Sequence, residues 1–397
     1  MVVAQQTPQP IFTELFAYDP AAPSQLLEKW RISSQLDCKL QPLRVGVVED
    51  PVGKTVGRVT VQEGDGLEGA SDAMLQARRY VCDSKGSRSA AMEAQRGGVV
   101  PSERAEIQVR SDRATGAGEL VKFGQPVWYR FSFKIAGDWP QDVPAAGRQP
   151  CRTVIHQIKQ DSFMGGKSCN ASPFFKIEAR PLGKRVRFFA QVAAGAPCAQ
   201  PPMVMRTQIC RRDLPRESWT MVQVRLNPAH DADDGRVDIW LKGKFCGTYQ
   251  GPMADPDYGA RRNGTPFINA QPRFGIYRDW RAEAQTIYFD KIMFWNANPE
   301  GHPDWGMRPP PRLPMRFRPG GHSLRSAPPP RAMLSDNDFS GSLRNRRRHH
   351  LSATLLDRRA GNGWARCYDA AVIARAAGFR MLVMGRIRQC SDCPFPR

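Results

Sequence analysis

Three segments of the sequence carry polar side chains at every second position, which is the spacing of a β-strand with one polar face. The side chains that share this face are Arg104, Glu106, Gln108 and Arg110 in residues 102–110, Gln157 and Lys159 in residues 153–159, and Gln271, Arg273 and Tyr277 in residues 271–278. Guanidinium, ammonium and amide groups bind anions, and a phenol that lies among cations can exchange a proton. These segments therefore predict a basic surface suited to an acidic ligand.

The other face of the same segments is apolar and must cover a hydrophobic core. Phe274 and Ile276 turn inward in the third segment, and Val154, His156 and Ile158 share the inward side of the second. His156 is therefore predicted to be buried. A β-bulge that shifts the register would instead bring His156 to the polar face, so it remains among the candidate residues.

The elements that must position these residues are short strands. Residues 11–305 consist of apolar-alternating segments separated by Gly, Pro, Asn and Asp, as in an antiparallel sandwich. Strands are predicted at Val127–Ile135, Arg152–Lys159, Phe174–Ala179, Val186–Val192, Thr220–Leu226, Val237–Leu241, Arg273–Tyr277 and Thr286–Phe294. We expect an all-β fold, an antiparallel β-sandwich jelly roll in residues 11–305, with an N-terminal extension in residues 1–10 and a disordered Pro/Arg-rich tail in residues 306–397.

The net charge of +20 favours polyanionic partners. Residues 301–397 contain 18 Arg, no Lys and 6 Asp, so more than half of this excess lies in the tail and the main body is only moderately basic. Biased coding explains a lysine-free, arginine-rich tail better than a binding role does, so no nucleic-acid partner is expected. No stretch approaches the length of a membrane-spanning helix, so no membrane partner is expected either.

The 10 cysteines lack paired zinc-type spacing and favour disulfides in an oxidising compartment. The protein is therefore expected to be secreted or periplasmic, although the first residues do not resemble a signal peptide. The pairing stays open: Cys198 and Cys210 flank a Pro-rich segment, Cys151 and Cys169 flank a strand and a loop, and Cys38 could meet Cys82, which would leave Cys246 unpaired. No metal is expected, and the protein is expected to be a monomer.

The Arg-x-Glu, Gln-Ile-x and basic-x-Gly-x-Tyr segments, in this order, resemble the three motif strands of the concanavalin-A-like polysaccharide lyases. The resemblance is to the group of alginate lyases, glucuronan lyases and heparin-lyase-I-like enzymes. Segments that begin at Trp219, Gly235 and Ile287 are similar to later strands of that sandwich, so the resemblance covers about residues 11–305. It implies β-elimination on an acidic, uronate-containing polysaccharide such as alginate, glucuronan or a heparin-like polymer, without a cofactor.

Position by position, the resemblance implies that Tyr277 is the catalytic base and acid, that Gln157 neutralises the substrate carboxylate and that Arg104 assists. Arg273 takes the place of a lysine, and Lys159 stands where alginate-type members carry histidine. The catalytic candidates are therefore Tyr277, Gln157, Lys159, Arg104 and His156, and the substrate-binding candidates are Arg273, Glu106, Arg110 and Arg278.

Two other functions fit the same fold. A glycoside hydrolase needs a pair of carboxylates across the scissile bond, and Asp238 has no acidic partner on its predicted strand. A non-catalytic, lectin-like carbohydrate-binding protein would use the same basic groove without cleaving its ligand, and it is the main alternative. Lys176, Glu178 and Arg180 continue the polar alternation, either as an extension of the groove or, more simply, as a solvated sheet face.

Overall fold

The computed structural model describes residues 7–20, 25–32, 44–66, 82, 102–109, 120–144, 146, 150–160, 173–196, 203–230, 234–254, 260–262, 265–267, 270–306, 375–376 and 379–380. The chain divides into two compact units, residues 1–310 with 390–397, and residues 311–389. In chain order, the strands of the first unit are β1 (Phe12–Glu14), β2 (Trp30–Ile32), β3 (Val45–Glu49), β4 (Thr55–Val61), β5 (Ser102–Val109), β6 (Val127–Ile135), β7 (Thr153–Gln160), β8 (Phe175–Leu182), β9 (Arg185–Ala196), β10 (Met203–Pro215), β11 (Thr220–Asn227), β12 (Arg236–Leu241), β13 (Lys244–Gln250), β14 (Ala260–Arg262), β15 (Thr265–Phe267), β16 (Ala270–Asp279) and β17 (Gln285–Trp295). One short helix, α1 (Leu26–Lys29), precedes β2.

Two antiparallel sheets form the sandwich. The front sheet has the strand order β10-β9-β8-β7-β16-β5-β2, and the back sheet has the order β13-β12-β11-β6-β17-β4-β3, with β1 beside β17. Strands that are distant in sequence lie side by side in both sheets, as in a jelly roll. The predicted all-β sandwich is confirmed.

The predicted strands are present, and β6 has the predicted bounds, Val127–Ile135. The alternation is visible because each inward residue is shielded from water while its neighbours project outward. Phe131 of β6 and Phe274 of β16 are both fully buried, and their ring centroids lie 5.2 Å apart across the sandwich. Burial of one such ring stabilises the fold by about 2–3 kcal/mol, which explains why the pattern is so regular.

The front-sheet edge strand β10 was not predicted. The residues from Met205 to Gln208 are all exposed, so this part of β10 lacks the apolar alternation that marks the inner strands. A disulfide between Cys210 of β10 and Cys246 of β13 joins the edge strands of the two sheets. The edge is therefore fixed by a covalent bond as well as by pairing with β9.

The disulfides that the structure describes differ from the suggested pairs. Cys82 is bonded to Cys151 rather than to Cys38, and Cys246 is bonded to Cys210 rather than left unpaired. The sandwich brings together cysteines 69 and 36 positions apart in sequence, and the sequence pattern does not identify such long-range pairs. Both bonds are consistent with an oxidising environment.

Two observations complete the fold. Within the described ranges no helix is long and apolar enough to cross a membrane. In the second unit the described residues form two short paired strands, β18 (Arg375–Ala376) and β19 (Phe379–Arg380). The rest of the predicted tail and the first six positions of the chain lie outside the described residues, so the proposed domain limits stay predictions.

Candidate active site

The three polar segments occupy neighbouring strands of the front sheet, with β16 between β5 and β7. Paired residues of antiparallel strands project from the same face, so the register creates two rows of side chains across the sheet. The Arg273 row contains Gln108, Arg273, Gln157, Lys176 and Gln191, and the Tyr277 row contains Arg104, Tyr277, Val154, Glu178 and Phe189. The fold therefore brings Tyr277, Arg104, Arg273 and Gln157 to one face.

Gly275 separates the two rows on β16. Its φ is +148°, and a Cβ atom at this position would lie 2.3 Å from the carbonyl oxygen of Ala105 and 2.6 Å from the Cα of Glu106. Only glycine fits here without displacing the backbone of β5. The pairing of β16 with β7 slips between Phe274 and Tyr277, so this glycine belongs to a β-bulge that sets the position of Tyr277.

Tyr277 is half-buried between two guanidinium groups. The Arg152 guanidinium lies 4.3 Å from the centre of the tyrosine ring, and the Arg104 guanidinium lies 5.4 Å from it. The hydroxyl accepts a hydrogen bond of 3.3 Å from Ser102. A phenolate at this position would face two permanent positive charges.

Arg152 is itself held by Asp279, a fully buried carboxylate on β16. Asp279 accepts one bond of 2.8 Å from the Arg152 backbone N–H and forms a 3.2 Å ion pair with its guanidinium. Burial lowers the pKa of Arg152, but Asp279 and Tyr277 outweigh burial and raise it above its ordinary value. Neither Arg152 nor Asp279 was predicted to be a site residue, although Asp279 follows Tyr277 at the next position of the same alternating pattern.

Gln157 is fixed by Glu106. The Gln157 side-chain amide donates a 2.6 Å hydrogen bond to Oε1 of Glu106, and both side chains are buried. Because an ionised carboxylate only accepts hydrogen bonds, this contact defines which end of the amide is nitrogen. Glu106 is one of the predicted substrate-binding residues, and in the structure it is fully buried and bonded to Gln157.

The remaining outward candidates spread along the same face. Arg273 and Lys159 are half-buried, and Lys159 pairs with Gln271 beyond the Arg273 row, on the side away from Tyr277. Arg104 is half-buried and pairs directly with Tyr277. Arg110 lies outside the described residues.

His156 does not reach this face. It is fully buried in the core, where its ring stacks on Phe274 at 4.5 Å. Its Nδ1 lies 2.9 Å from the Arg273 carbonyl oxygen and its Nε2 lies 2.9 Å from the Tyr129 hydroxyl. Because a carbonyl only accepts, Nδ1 carries the proton and Nε2 accepts from tyrosine. Burial lowers the pKa of His156 to about 3, so the ring is neutral.

A bulge does occur in β7, but it moves Val154 rather than His156. The pairing with β8 slips between Val154 and His156, and Val154 pairs with Tyr277 and Glu178. Ile155 joins the hydrophobic core in its place. Strict alternation had put Val154 on the inward side with His156, and this assignment is wrong because the extra residue reverses the alternation.

Arg278 also lies away from the groove, although it follows Tyr277 directly. Its side chain is fully buried and forms a 2.6 Å ion pair with the equally buried Glu103. A further bond of 3.2 Å joins it to Gln285. Burial raises the pKa of Glu103 to about 7, against the opposing effect of Arg278. Arg278 therefore has the surroundings of a structural residue, and we leave it out of the proposed substrate contacts.

Lys176, Glu178 and Arg180 extend the two rows onto β8. Glu178 is only 1% exposed and accepts from Lys176 at 2.6 Å and from Arg180 at 2.7 Å. Burial alone would raise the pKa of Glu178, but the two cations outweigh it and hold the pKa below its ordinary value. This part of the sheet is a covered ion-pair cluster rather than a freely solvated face.

A metal ion has few ligands to use in the described part of this unit. The one group of closely spaced His, Cys, Asp or Glu side chains found there is Cys82, Cys151 and Asp279. The two sulfurs are joined in a disulfide, so they offer no thiolate ligand.

The fold and the site together define a jelly-roll sandwich with a basic, tyrosine-bearing face on one sheet. A family model described as polysaccharide lyase matches residues 53–293, more than half of the chain. The protein therefore belongs to the polysaccharide lyase family. The match contains all three strands of the candidate site. No protein of curated function matches the sequence.

Comparison with solved structures finds matches of low identity and low TM-score. An endo-β-1,4-glucuronan lyase from the fungus Trichoderma reesei has 14% identity and a TM-score of 0.40, over 64% of this chain and 87% of that one. An alginate lyase from Aplysia kurodai has 7% identity and a TM-score of 0.39, over 72% and 98% of the two chains. A family 7 alginate lyase in complex with a product has 12% identity and a TM-score of 0.36, over 68% and 95%.

Proposed function

We propose that this protein cleaves a uronate-containing polysaccharide by β-elimination on the polar face of β5, β16 and β7. The observation that carries the proposal is the environment of Tyr277, a half-buried phenol between the guanidinium groups of Arg104 and Arg152, in a chain of the polysaccharide lyase family. A phenol placed between two cations is suited to losing and regaining a proton.

The reaction begins with proton removal. Tyr277, as phenolate, takes the proton from the sugar carbon that bears the carboxylate. The electron pair of that carbon–hydrogen bond forms a double bond to the neighbouring carbon, and the glycosidic carbon–oxygen bond on that carbon breaks. The proton on Tyr277 then passes to the departing oxygen, which restores the phenolate. One tyrosine thus serves as base and acid, and the products are an unsaturated uronate end and a free hydroxyl.

Proton removal requires that the carboxylate be neutralised, because negative charge accumulates on it as the carbon–hydrogen bond breaks. We assign this role to Gln157, Arg104 and Lys159, with Arg273 in support. Gln157 is oriented by Glu106 through a 2.6 Å bond, so its remaining amide proton needs no reorientation when substrate binds. The Cα atoms of Gln157 and Val154, the latter the pairing partner of Tyr277, are about 10 Å apart at about 3.3 Å per residue. The side chains of Gln157 and Tyr277 are long enough to reach one sugar unit from opposite ends of that span.

The substrate class follows from the charges on this face. Arg104, Arg152 and Arg273 supply positive charge near Tyr277 and Gln157, which suits a polymer that carries a carboxylate on each sugar. We infer that the partner is an acidic polysaccharide such as alginate, glucuronan or a heparin-like chain. Such polymers occur outside cells, and the disulfides Cys82–Cys151 and Cys210–Cys246 fit a secreted or periplasmic protein.

The test is to incubate the protein separately with alginate, glucuronan and heparin and to follow the ultraviolet absorbance of the unsaturated uronate. We expect an increase with at least one polymer. Tyr277→Phe removes only the hydroxyl and should lower kcat by about 10⁴-fold, the upper range for a group that acts as both base and acid. Tyr288→Phe is the matched control, because Tyr288 is a half-buried tyrosine on the back sheet, and it should keep wild-type activity.

Two results would contradict the proposal. Binding to a polyuronate without any unsaturated product would favour the lectin-like alternative. Elimination that persists at the wild-type rate in Tyr277→Phe would leave the reaction class intact but remove the role assigned to the tyrosine. Measurement of folding by circular dichroism separates either outcome from a loss of structure.

A further inference from the structure

We propose that Arg152 is a further residue of the catalytic site, the cation that stabilises the phenolate form of Tyr277, and that Asp279 positions it. This inference rests on the proposed function, since it concerns the same tyrosine. It assigns a defined task to a residue that lies outside the three motif segments, just before the first residue of β7.

The contacts single out Arg152 among the cations of the face. Its guanidinium is 1.1 Å closer to the tyrosine ring centre than that of Arg104, at 4.3 Å against 5.4 Å. Lys159, by contrast, pairs with Gln271, beyond the Arg273 row on the side away from Tyr277. Lys159, to which the proposed function assigns the substrate carboxylate, is therefore a different cation from Arg152, which contacts the phenol of Tyr277.

Arg152 is held in place at both its backbone and its side chain. Asp279 accepts from the Arg152 backbone N–H at 2.8 Å and pairs with its guanidinium at 3.2 Å, and the Asp279 backbone N–H donates to the Arg152 carbonyl at 3.1 Å. The preceding residue, Cys151, is covalently bonded to Cys82, whose backbone N–H donates to Trp280 at 3.2 Å. The segment that carries Arg152 is thus tied to the two residues Asp279 and Trp280, shortly after Tyr277.

The chemical role follows from this geometry. When Tyr277 gives up its proton, a negative charge forms on a phenol whose ring centre lies 4.3 Å from the Arg152 guanidinium. A guanidinium keeps its charge at any pH at which the enzyme works, whereas a histidine would lose it near neutrality. The charged and polar groups that face Tyr277 are Ser102 and Arg104 on β5, Arg152 before β7, Glu178 on β8, and Arg273 and Asp279 on β16.

The test compares Arg152→Gln with wild type across pH. Loss of the cation should move the acidic limb of the kcat/KM profile to higher pH by about one unit or more, which is about a tenfold loss of activity below the limb that recovers above it. Asp279→Asn should move the limb in the same direction by less, and Arg152→Lys should restore part of the shift. Arg236→Gln is the control, because Arg236 is held by Asp238 through bonds of 2.8 and 3.2 Å on the back sheet, and its profile should match wild type.

A second measurement keeps this inference separate from the proposed function. The ultraviolet difference spectrum between each protein and its Tyr277→Phe counterpart reports phenolate formation at this residue without any turnover. If the protein forms no unsaturated product, the proposed function fails, and the titration still tests Arg152. If Arg152→Gln raises KM while the pH profile and the spectral transition stay unchanged, Arg152 is a substrate contact only, and the inference is overturned.

Discussion

The outward and inward faces of the same three strands use similar residue types for different purposes. Sequence neighbours fall on opposite sides: Glu103 and Arg104, His156 and Gln157, and Arg278 and Tyr277. The outward members Arg104 and Tyr277 are half-buried and Gln157 is held by Glu106, whereas the inward members are fully buried and bonded within the protein. An ionisable residue type therefore says little about function until its side of the strand is known.

The two faces should therefore affect two different quantities, the free energy of unfolding and the rate of the reaction. Inward groups lose their water on folding and need internal partners, so their removal should change the free energy of unfolding. The outward groups Tyr277, Arg104 and Arg273 are only half-buried, so their removal should mainly change the rate of the reaction. Each prediction below substitutes one residue and asks which of these two quantities changes.

The largest expected effect is on the inward side, at the ion pair of Glu103 and Arg278. Glu103→Leu leaves the Arg278 guanidinium buried without its carboxylate partner, which should lower the free energy of unfolding by about 3–5 kcal/mol. The measurement is chemical denaturation at neutral pH. Arg278→Leu should cost less at pH 5 than at pH 8, because burial raises the pKa of Glu103 to about 7 and lets it become neutral in acid.

The difference between the two faces would not hold at this pair if Glu103→Leu changed the activity rather than the stability. Loss of elimination in Glu103→Leu with less than about 1 kcal/mol of destabilisation would mean that the pair serves the reaction. Arg278 would then return to the set of substrate-binding residues. Activity must be expressed per folded molecule, since a destabilised variant also lowers the folded fraction.

The next effect is on the outward side, at Arg104. Arg104→Met keeps the aliphatic length of the side chain and removes the charge near Tyr277, so kcat/KM should fall by about 10²–10³-fold. The free energy of unfolding should change by less than about 1 kcal/mol, the usual range for residues on a polar face. Steady-state kinetics and denaturation of the same preparations check both parts.

Arg58→Met on the back sheet is the matched control, since Arg58 is also a half-buried arginine on a strand. It should leave kcat/KM unchanged. An equal loss of activity in both variants would mean that a general loss of positive charge, rather than the contact with Tyr277, causes the effect at Arg104.

Much of this organisation could be predicted from the sequence, because burial repeats with the period of the strand. The alternation in β5, β7 and β16 placed Tyr277, Arg104, Gln157 and Arg273 on one face and His156 in the core, and the register confirms these placements. The roles of these residues in catalysis are not tested by their placement and stay predictions.

What could not be predicted depends on irregular or long-range features. The bulge in β7 reverses the alternation at Val154, and no local residue preference marks it. The disulfide between Cys82 and Cys151 and the position of Arg152 beside Tyr277 depend on the path of the chain between distant segments. Sequence periodicity gives the side of a strand that a residue occupies but not its neighbours across the sheet.

The smallest expected effect is the contribution of His156 to the pH dependence of stability. Burial lowers its pKa from 6.5 to about 3, so the folded protein holds it neutral while the unfolded chain becomes protonated below pH 6.5. Its contribution is therefore complete above pH 6.5 and is lost as the pH falls towards 3. Between pH 7 and pH 5 this loss should be about 2 kcal/mol, at about 1.36 kcal/mol per pH unit.

His156→Gln isolates this term, because glutamine can still accept from the Tyr129 hydroxyl and donate to the Arg273 carbonyl without titrating. The difference in unfolding free energy between wild type and this variant should shift by about 2 kcal/mol in favour of the variant from pH 7 to pH 5. A constant difference at both pH values would mean that His156 can be protonated in the folded protein, so it would lie within reach of solvent, and the strict separation of the two faces would not hold at this position.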